Sequence, residues 1–385
     1  MNVENANDWD TSLKQFFEPF AEHFLRSETR TNVQRYMRGL LAEVPRKNGW
    51  QVAEAVGLSD PHPLQRVLTG AKWEDTTVRG QLRQVVVQSM GSETGIGVLD
   101  ESGFVKWGNQ SAGVARQYCS RVGKVENCQV GVYLGYVTAS SAAFLDCRLY
   151  LPQSWCDDCD RCQRAQIPDE VTFQTKPQIA QAMLERAWEE GLPLHWVVGD
   201  TLYGNSPALR QAIHQRERSY VLAIAAHHHV QPMPSAQVMA LQDLPQALPN
   251  QGWERLCFRL GEKGPICSDW QALRVRMSND TIGEQWLLVQ RSLTETPQYR
   301  FFLSNAPPNT DLVDLVAVAL SRHSIEALFE EAKSEVGMAD YEVRHWHSWH
   351  RHMTLVMLAH TWLKLIQHAQ REKKSSARLV ELEPC

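Results

Sequence analysis

The chain has 385 residues, 43% of them hydrophobic and 22% charged, with a formal net charge of −5. That length supports two or three domains with real cores, and the composition excludes a disordered or fibrous chain. The acidic balance excludes a uniformly basic coat for nucleic acid.

The opening MNVENANDWD lacks the basic and apolar regions of a secretory signal. The best apolar run, 354–366, is too short to span a bilayer and contains His360 and Lys364. A soluble, cytoplasmic protein without a membrane partner is expected. Nine cysteines, an odd number without a secretory signal, point to reduced thiols rather than a disulfide framework. Charge is unevenly placed: residues 26–47 hold six Lys/Arg against two acidic residues, and 344–374 hold six against one. Such local basic faces suit DNA contact at chosen places, and equally suit solvated helix faces.

Residues 1 to about 90 read as helical. Leu13, Phe16, Phe17, Phe20 and Phe24 form a stripe at helical spacing after Asp10 and Thr11 as possible caps. Two short helices (Gln51–Gly57 and Leu64–Thr69) flank the break at 59–63, a shape shared by helix-turn-helix DNA readers and by many ordinary helical domains. Residues 75–90 read as a further helix.

From Gly97 the pattern turns to strands. Gly97-Val98-Leu99 is apolar and ends in Asp100, with Ser102-Gly103 as turn residues, and 125–138 and 142–151 suggest an antiparallel pair. A helix closed by Gly191 follows, then the apolar run 194–199 ending in Asp200, a helix at 207–216 and a strand at 220–225. Alternating runs between about 250 and 305 read as β-rich. Helices at 311–320, 321–336 and about 348–370 complete the chain before a polar tail.

Two strands thus end in Asp, and a helix far downstream offers Glu326. On that helix Arg322, Glu326, Glu330 and Lys333 share one face, and Ile325, Leu328, Phe329 and Ala332 share the other. Taken alone, this is also the pattern of a surface helix with i,i+4 ion pairs. Side chains at strand ends of an open α/β sheet point into the crevice where ligands sit. Three carboxylates gathered there would form an oxygen-only site suited to Mg²⁺ or Mn²⁺, although a strand-end Asp taken singly caps a turn or helix as readily.

These residues resemble DDE-type insertion-sequence transposases. Arg322, three residues, Glu326, six residues and Lys333 is similar to the signature around the last acidic residue of that family, with Ala319 where a Tyr is usual. VLDESGFVKWGNQSAGVARQYCSRVGKVENCQVGVYLGY resembles the first catalytic block, WVVGDTLYGNSPALRQAI the second, and GMADYEVRHWHSWHRHMTLVMLAH the segment after the third. The resemblance covers most of the chain. It implies an α/β fold with an RNase H-like catalytic core, an N-terminal helical domain, a β-rich insertion and a C-terminal helical segment. The corresponding boundaries are 1–92 for the helical, DNA-binding domain, 93–229 for the first part of the core and 230–306 for the insertion. Residues 307–370 complete the core and 371–385 form the tail.

By the same resemblance Asp100, Asp200 and Glu326 are catalytic and hold the metal, two Mg²⁺ or Mn²⁺ ions. Glu101 stands where many members carry a second Asp, and Glu330, Glu331 and Glu335 do not fit the Arg and Lys spacing. The implied reaction hydrolyses a phosphodiester at each element end, and the freed 3′-OH then attacks target DNA. The implied partners are double-stranded DNA, as terminal repeats and as target, and a second copy in a homodimer. Arg322 and Lys333 would hold phosphates, with Arg344, Tyr203, Trp346 and Arg351 as further DNA contacts. The alternatives are a domesticated DNA binder that does not cut, and a nuclease that cuts without strand transfer.

Two features lie outside this scheme. Cys156, Cys159 and Cys162 offer three close thiols with no His within four residues, fewer ligands than a zinc or iron–sulfur site needs. His345, His347, His350 and His352, interleaved with Trp346 and Trp349, fit an aromatic surface near DNA, with the Trp rings in the core or stacked on bases.

Overall fold

The computed structural model describes residues 6–249, 251–261, 264–278 and 280–380. The fold is α/β, with helices up to Met90 and a long helix at the end. Twelve strands lie between: β1 (Ile96–Val105), β2 (Ala115–Cys119), β3 (Lys124–Val137), β4 (Ala142–Leu149), β5 (Trp196–Gly199), β6 (Ser219–Ile224), β7 (His229–Pro232), β8 (Met239–Ala240), β9 (Glu254–Gly261), β10 (Gly264–Met277), β11 (Glu284–Arg291) and β12 (Tyr299–Ser304). No described helix is long and apolar enough to cross a membrane. The contacts group the chain into two compact units, one of Met1–Ser92, Glu101–Thr175 and Glu326–Cys385, the other of Glu93–Asp100 and Lys176–Ile325. Both are discontinuous in sequence.

In the first unit, aromatic side chains at helical spacing make the early core. Leu13, Phe17, Phe20 and Phe24 are buried, each worth roughly 1.5–3 kcal/mol. Asp10 is no cap, because the helix already begins at Ala6; it pairs instead with Lys14 and Arg38. Asn48 caps the helix Gly49–Ala55 by accepting from the Trp50 and Gln51 amides. The last helix, Trp346–Val380, buries residues 352–360. Around it Tyr133 and Phe144 close on Phe329, with ring centroids 5.1 and 5.5 Å away. β3 pairs antiparallel with both β2 and β4.

A buried ionic network ties three elements of this unit. Asp146 on β4 accepts from Arg79 Nε at 2.8 Å and Arg83 Nη1 at 3.2 Å, both from the helix Asp75–Met90. Arg79 Nη1 also bonds Asp75 at 2.7 Å and Thr354 Oγ1, on the last helix, at 2.7 Å.

In the second unit the strand order is β1-β5-β6-β12-β11-β10-β7-β8, with β9 on β10. β1, β5 and β6 run parallel. β12 then joins β6 antiparallel, placing Phe301 opposite Ile224 and Ser304 opposite Val221. The β-rich run therefore extends the same sheet.

Several local expectations fail. Ser102-Gly103 is no turn, for β1 continues to Val105; Gly103 has no side chain because a Cβ there would collide with Cys119 Sγ. Cys257 and Cys267 face each other across β9 and β10 and form a disulfide, where reduced thiols are expected in preference to a disulfide framework; the other cysteines among the described residues are free. The last helix is described as far as Val380, so the expected tail is helical there, and 381–385 lie outside the described residues.

Candidate active site

β1 and β5 pair in parallel with Leu99 opposite Gly199. Asp100 follows Leu99 within β1 and Asp200 follows Gly199 just past β5, so the two residues stand next to each other on neighbouring backbones that run about 4.8 Å apart. Asp200 ends its strand and caps the turn Thr201–Gly204, accepting from the Leu202 amide at 2.9 Å. The backbone beneath it is pinned. Asn205 Oδ1 accepts from the Ala225 amide, at the end of β6, at 3.0 Å and pairs with His228 Nε2 at 2.9 Å. The fully buried Arg210 donates to the Gly204 carbonyl and to Asp280. Gly204 must be glycine here, since a Cβ would fall on the Ala223 carbonyl.

Asp100 Oδ2 accepts from Arg322 Nη1 at 2.8 Å. Arg322 stands between the helices Leu312–Ser321 and His323–Glu335. This cation relieves the repulsion that two adjacent carboxylates would otherwise suffer. Asp100, Asp200 and Arg322 are thus brought together within one unit. Glu326 lies in the first turn of the helix His323–Glu335, is exposed, and belongs to the other unit by its contacts. The helix faces read from periodicity match the burial: Ile325, Leu328, Phe329 and Ala332 are buried, Glu326 and Glu330 exposed.

Glu331 is occupied structurally. His360 Nε2 at 3.2 Å and Lys364 Nζ at 2.6 Å hold it, and the His360 bond leads the effects that lower its pKa to about 2, with burial opposing. Among the described residues, no three His, Cys, Asp or Glu side chains are gathered as a ligand set for one ion.

Other expected DNA contacts are placed differently. Tyr203 is 0% exposed, packed beneath Gly199, and has no surface to offer. Trp346 is 6% exposed, and Trp349 donates from Nε1 to the buried Tyr341 hydroxyl at 3.1 Å. Arg351 donates to the carbonyls of Trp73 at 2.8 Å and Leu68 at 3.4 Å, so it braces the N-terminal helices. Arg344 is exposed. Lys333 Nζ lies 5.6 Å from the Phe329 ring centroid and 6.0 Å from that of Phe104.

Half of the histidine run belongs to the core: His350 and His352 are buried, whereas His345 is half-buried and His347 exposed. His350 Nε2 accepts from the Leu149 amide at 3.3 Å and Nδ1 pairs with the Trp346 carbonyl, while His352 Nδ1 meets the Tyr36 hydroxyl at 2.9 Å. Burial depresses the pKa of His350 to about 4 and that of His352 to about 3, so both rings are neutral. Cys156 and Cys162 fall in two short helices, with Cys162 Sγ 3.1 Å from the Trp155 carbonyl, and burial raises both thiols.

A family model described as DDE superfamily endonuclease matches residues 19–247, a span that includes Asp100 and Asp200. A probable transposase for insertion sequence element IS701, from Microchaete diplosiphon, is 26% identical over 205 residues. That alignment takes in 53% of this chain and 51% of the relative, so the chain spans about half the length of the curated protein it matches. A solved piggyBac transposase synaptic complex with hairpin DNA superposes with a TM-score of 0.46 at 7% identity, over 96% of this chain and 74% of that one.

Proposed function

We propose that this chain, which belongs to the DDE superfamily endonucleases, is the transposase of an insertion sequence. In this reading it hydrolyses a phosphodiester at each end of its element and joins the freed 3′-OH to target DNA. The observation that carries the reading is the register of β1 and β5, by which Asp100, inside β1 and not at its end, comes next to Asp200, just past the end of β5. The name of the IS701 relative supports the same conclusion.

Members of the superfamily generally use divalent metal ions. The donor set fits them: carboxylate oxygens are hard ligands, Asp200 caps a turn held by Asn205, and Asp100 is oriented by Arg322. Asp100, Asp200 and Glu326 would hold the metal, taken here as two Mg²⁺ or Mn²⁺ ions, which when bound activate the attacking oxygen and stabilise the leaving oxygen of an in-line displacement. Arg322 holds the Asp100 carboxylate in place, and its planar fork suits a DNA phosphate. Lys333 and the exposed Arg344 add positive charge for the sugar-phosphate chain. Two element ends must be held at once, so the working form is a homodimer on double-stranded DNA in the cytoplasm.

The test combines the purified chain, Mg²⁺ or Mn²⁺, and DNA carrying the inverted repeats that bracket its own coding frame. Both cleavage and joining are expected. D100N, D200N, E326Q and chelation by EDTA should each abolish both while DNA binding persists. Cleavage without joining would reduce the protein to a nuclease, and binding alone to a domesticated relative. Full activity in any one of the three variants would overturn that residue's role.

A further inference from the structure

Trp107 is 97% exposed, more than any other large hydrophobic side chain among the described residues. Isolated apolar side chains on a surface are ordinary, but this one stands on a clamped turn just beyond β1. A single residue of β3 grips both sides of it. Asn127 Nδ2 donates to the Lys106 carbonyl at 2.6 Å and to the Gly108 carbonyl at 2.9 Å, and the Asn127 carbonyl accepts from the Lys106 amide at 2.9 Å. Gly108 takes φ +75°, a conformation that favours glycine.

The rest of the loop is fixed too. Arg161 Nη2 donates to the Asn109 carbonyl at 3.0 Å and the Val114 carbonyl at 3.2 Å, and the Ala112 amide donates to the Arg344 carbonyl at 2.8 Å. Lys106 is anchored by Nζ on the Tyr341 carbonyl at 3.0 Å and over its ring at 3.4 Å. Because the turn beneath the indole is already ordered, stacking on a flat partner costs the freedom of the side chain and not that of the backbone. The two segments that bond this loop carry exposed cations, Arg344 and Arg164, which take no ion-pair partner among the described residues, beside carboxylates that include Glu342 and Asp160. Aromatic faces beside cations are the chemistry that grips single-stranded nucleic acid.

We propose that Trp107 is a stacking platform for an unpaired base of bound DNA, set by Asn127, with Arg344 and Arg164 on the segments that bond its loop. The inference rests on the transposase reading and adds to it a base contact outside the acidic site.

The experiment measures anisotropy of two labelled duplexes that share a sequence, one blunt and one with a single-stranded tail containing 2-aminopurine. W107A should weaken binding of the tailed duplex by about 5- to 150-fold and that of the blunt duplex by no more than about twofold. The salt dependence, set by phosphate contacts, should keep its slope. W107F should retain most of the affinity and the quenching of 2-aminopurine, and N127A, which frees the turn but keeps the indole, should show a smaller loss of the same selectivity. Equal binding of the tailed duplex by W107A and the parent chain would overturn the proposal. So would an equal loss on both duplexes, or a change in oligomeric state alone. Failure of the parent chain to bind either duplex would bring down the transposase reading and this inference with it, whereas parent binding that W107A retains would sink this inference only.

Discussion

Asp146 is 1% exposed and is the shared acceptor of two guanidiniums that are themselves nearly inaccessible. Replacing it by alanine leaves Arg79 with Asp75 as its remaining ion-pair partner in this network and takes from Arg83 its bond at 3.2 Å. A surface pair lost in this way would cost about 0–1 kcal/mol. Here the charges stay behind in a buried site, so the expected loss is about 3–5 kcal/mol. D146N keeps the shape and one acceptor oxygen, and should fall between at about 1–3 kcal/mol. Urea titration of the full chain, followed by both circular dichroism and tryptophan fluorescence, reads the difference. A third protein, with Asp146, Arg79 and Arg83 all replaced by apolar residues of similar volume, should recover much of the loss, because no uncompensated charge remains. D146A within about 1 kcal/mol of the parent would refute the network as the tie between the helix Asp75–Met90, β4 and the last helix.

His350 and His352 set the acid limit of the first unit. Their folded pKa values, about 4 and about 3, lie below the ordinary value of 6.5, so the unfolded chain takes up protons that the folded chain refuses. Their contribution is therefore constant above pH 6.5, and stability falls as pH drops toward 4, by about 3 kcal/mol for His350; H350Q should flatten that slope in urea midpoints measured across the range, and an unchanged slope would rule the ring out as the cause. For Arg322, alanine should eliminate cleavage and lysine should restore only part of it, since a point charge lacks the fork. Wild-type cleavage rates in R322A would show that its bond to Asp100 is incidental.

Periodicity made much of this fold legible. The two faces of the helix carrying Glu326 and the apolar runs that end in Asp100 and Asp200 could all be read from residue spacing. What spacing cannot show is which surface another segment covers. Tyr203 and Trp346 look like exposed aromatics in a functional stretch, yet Gly199 and the packing around the last helix bury them. Arg351 looks like a free cation until the Trp73 and Leu68 carbonyls arrive from nearly 280 positions away. The Cys257–Cys267 disulfide depends on the register of β9 against β10, with a bulge between, which no local pattern specifies. Short strands such as β7 and β8 carry too few residues to show alternation. Trp107 carries no local signal either, because the turn that presents it is held by Asn127, twenty residues away in sequence.

The antiparallel seam between β6 and β12 does more than lengthen a sheet. Without it, the three parallel strands would finish in a bare row of amides and carbonyls, an invitation to pair with any passing chain. β12 closes that flank, and β11 and β10 follow in turn. The outlying hairpin of β9 and β10 can thus vary in length at little cost, whereas excising the run through β12 would turn a guarded border into a nucleus for aggregation.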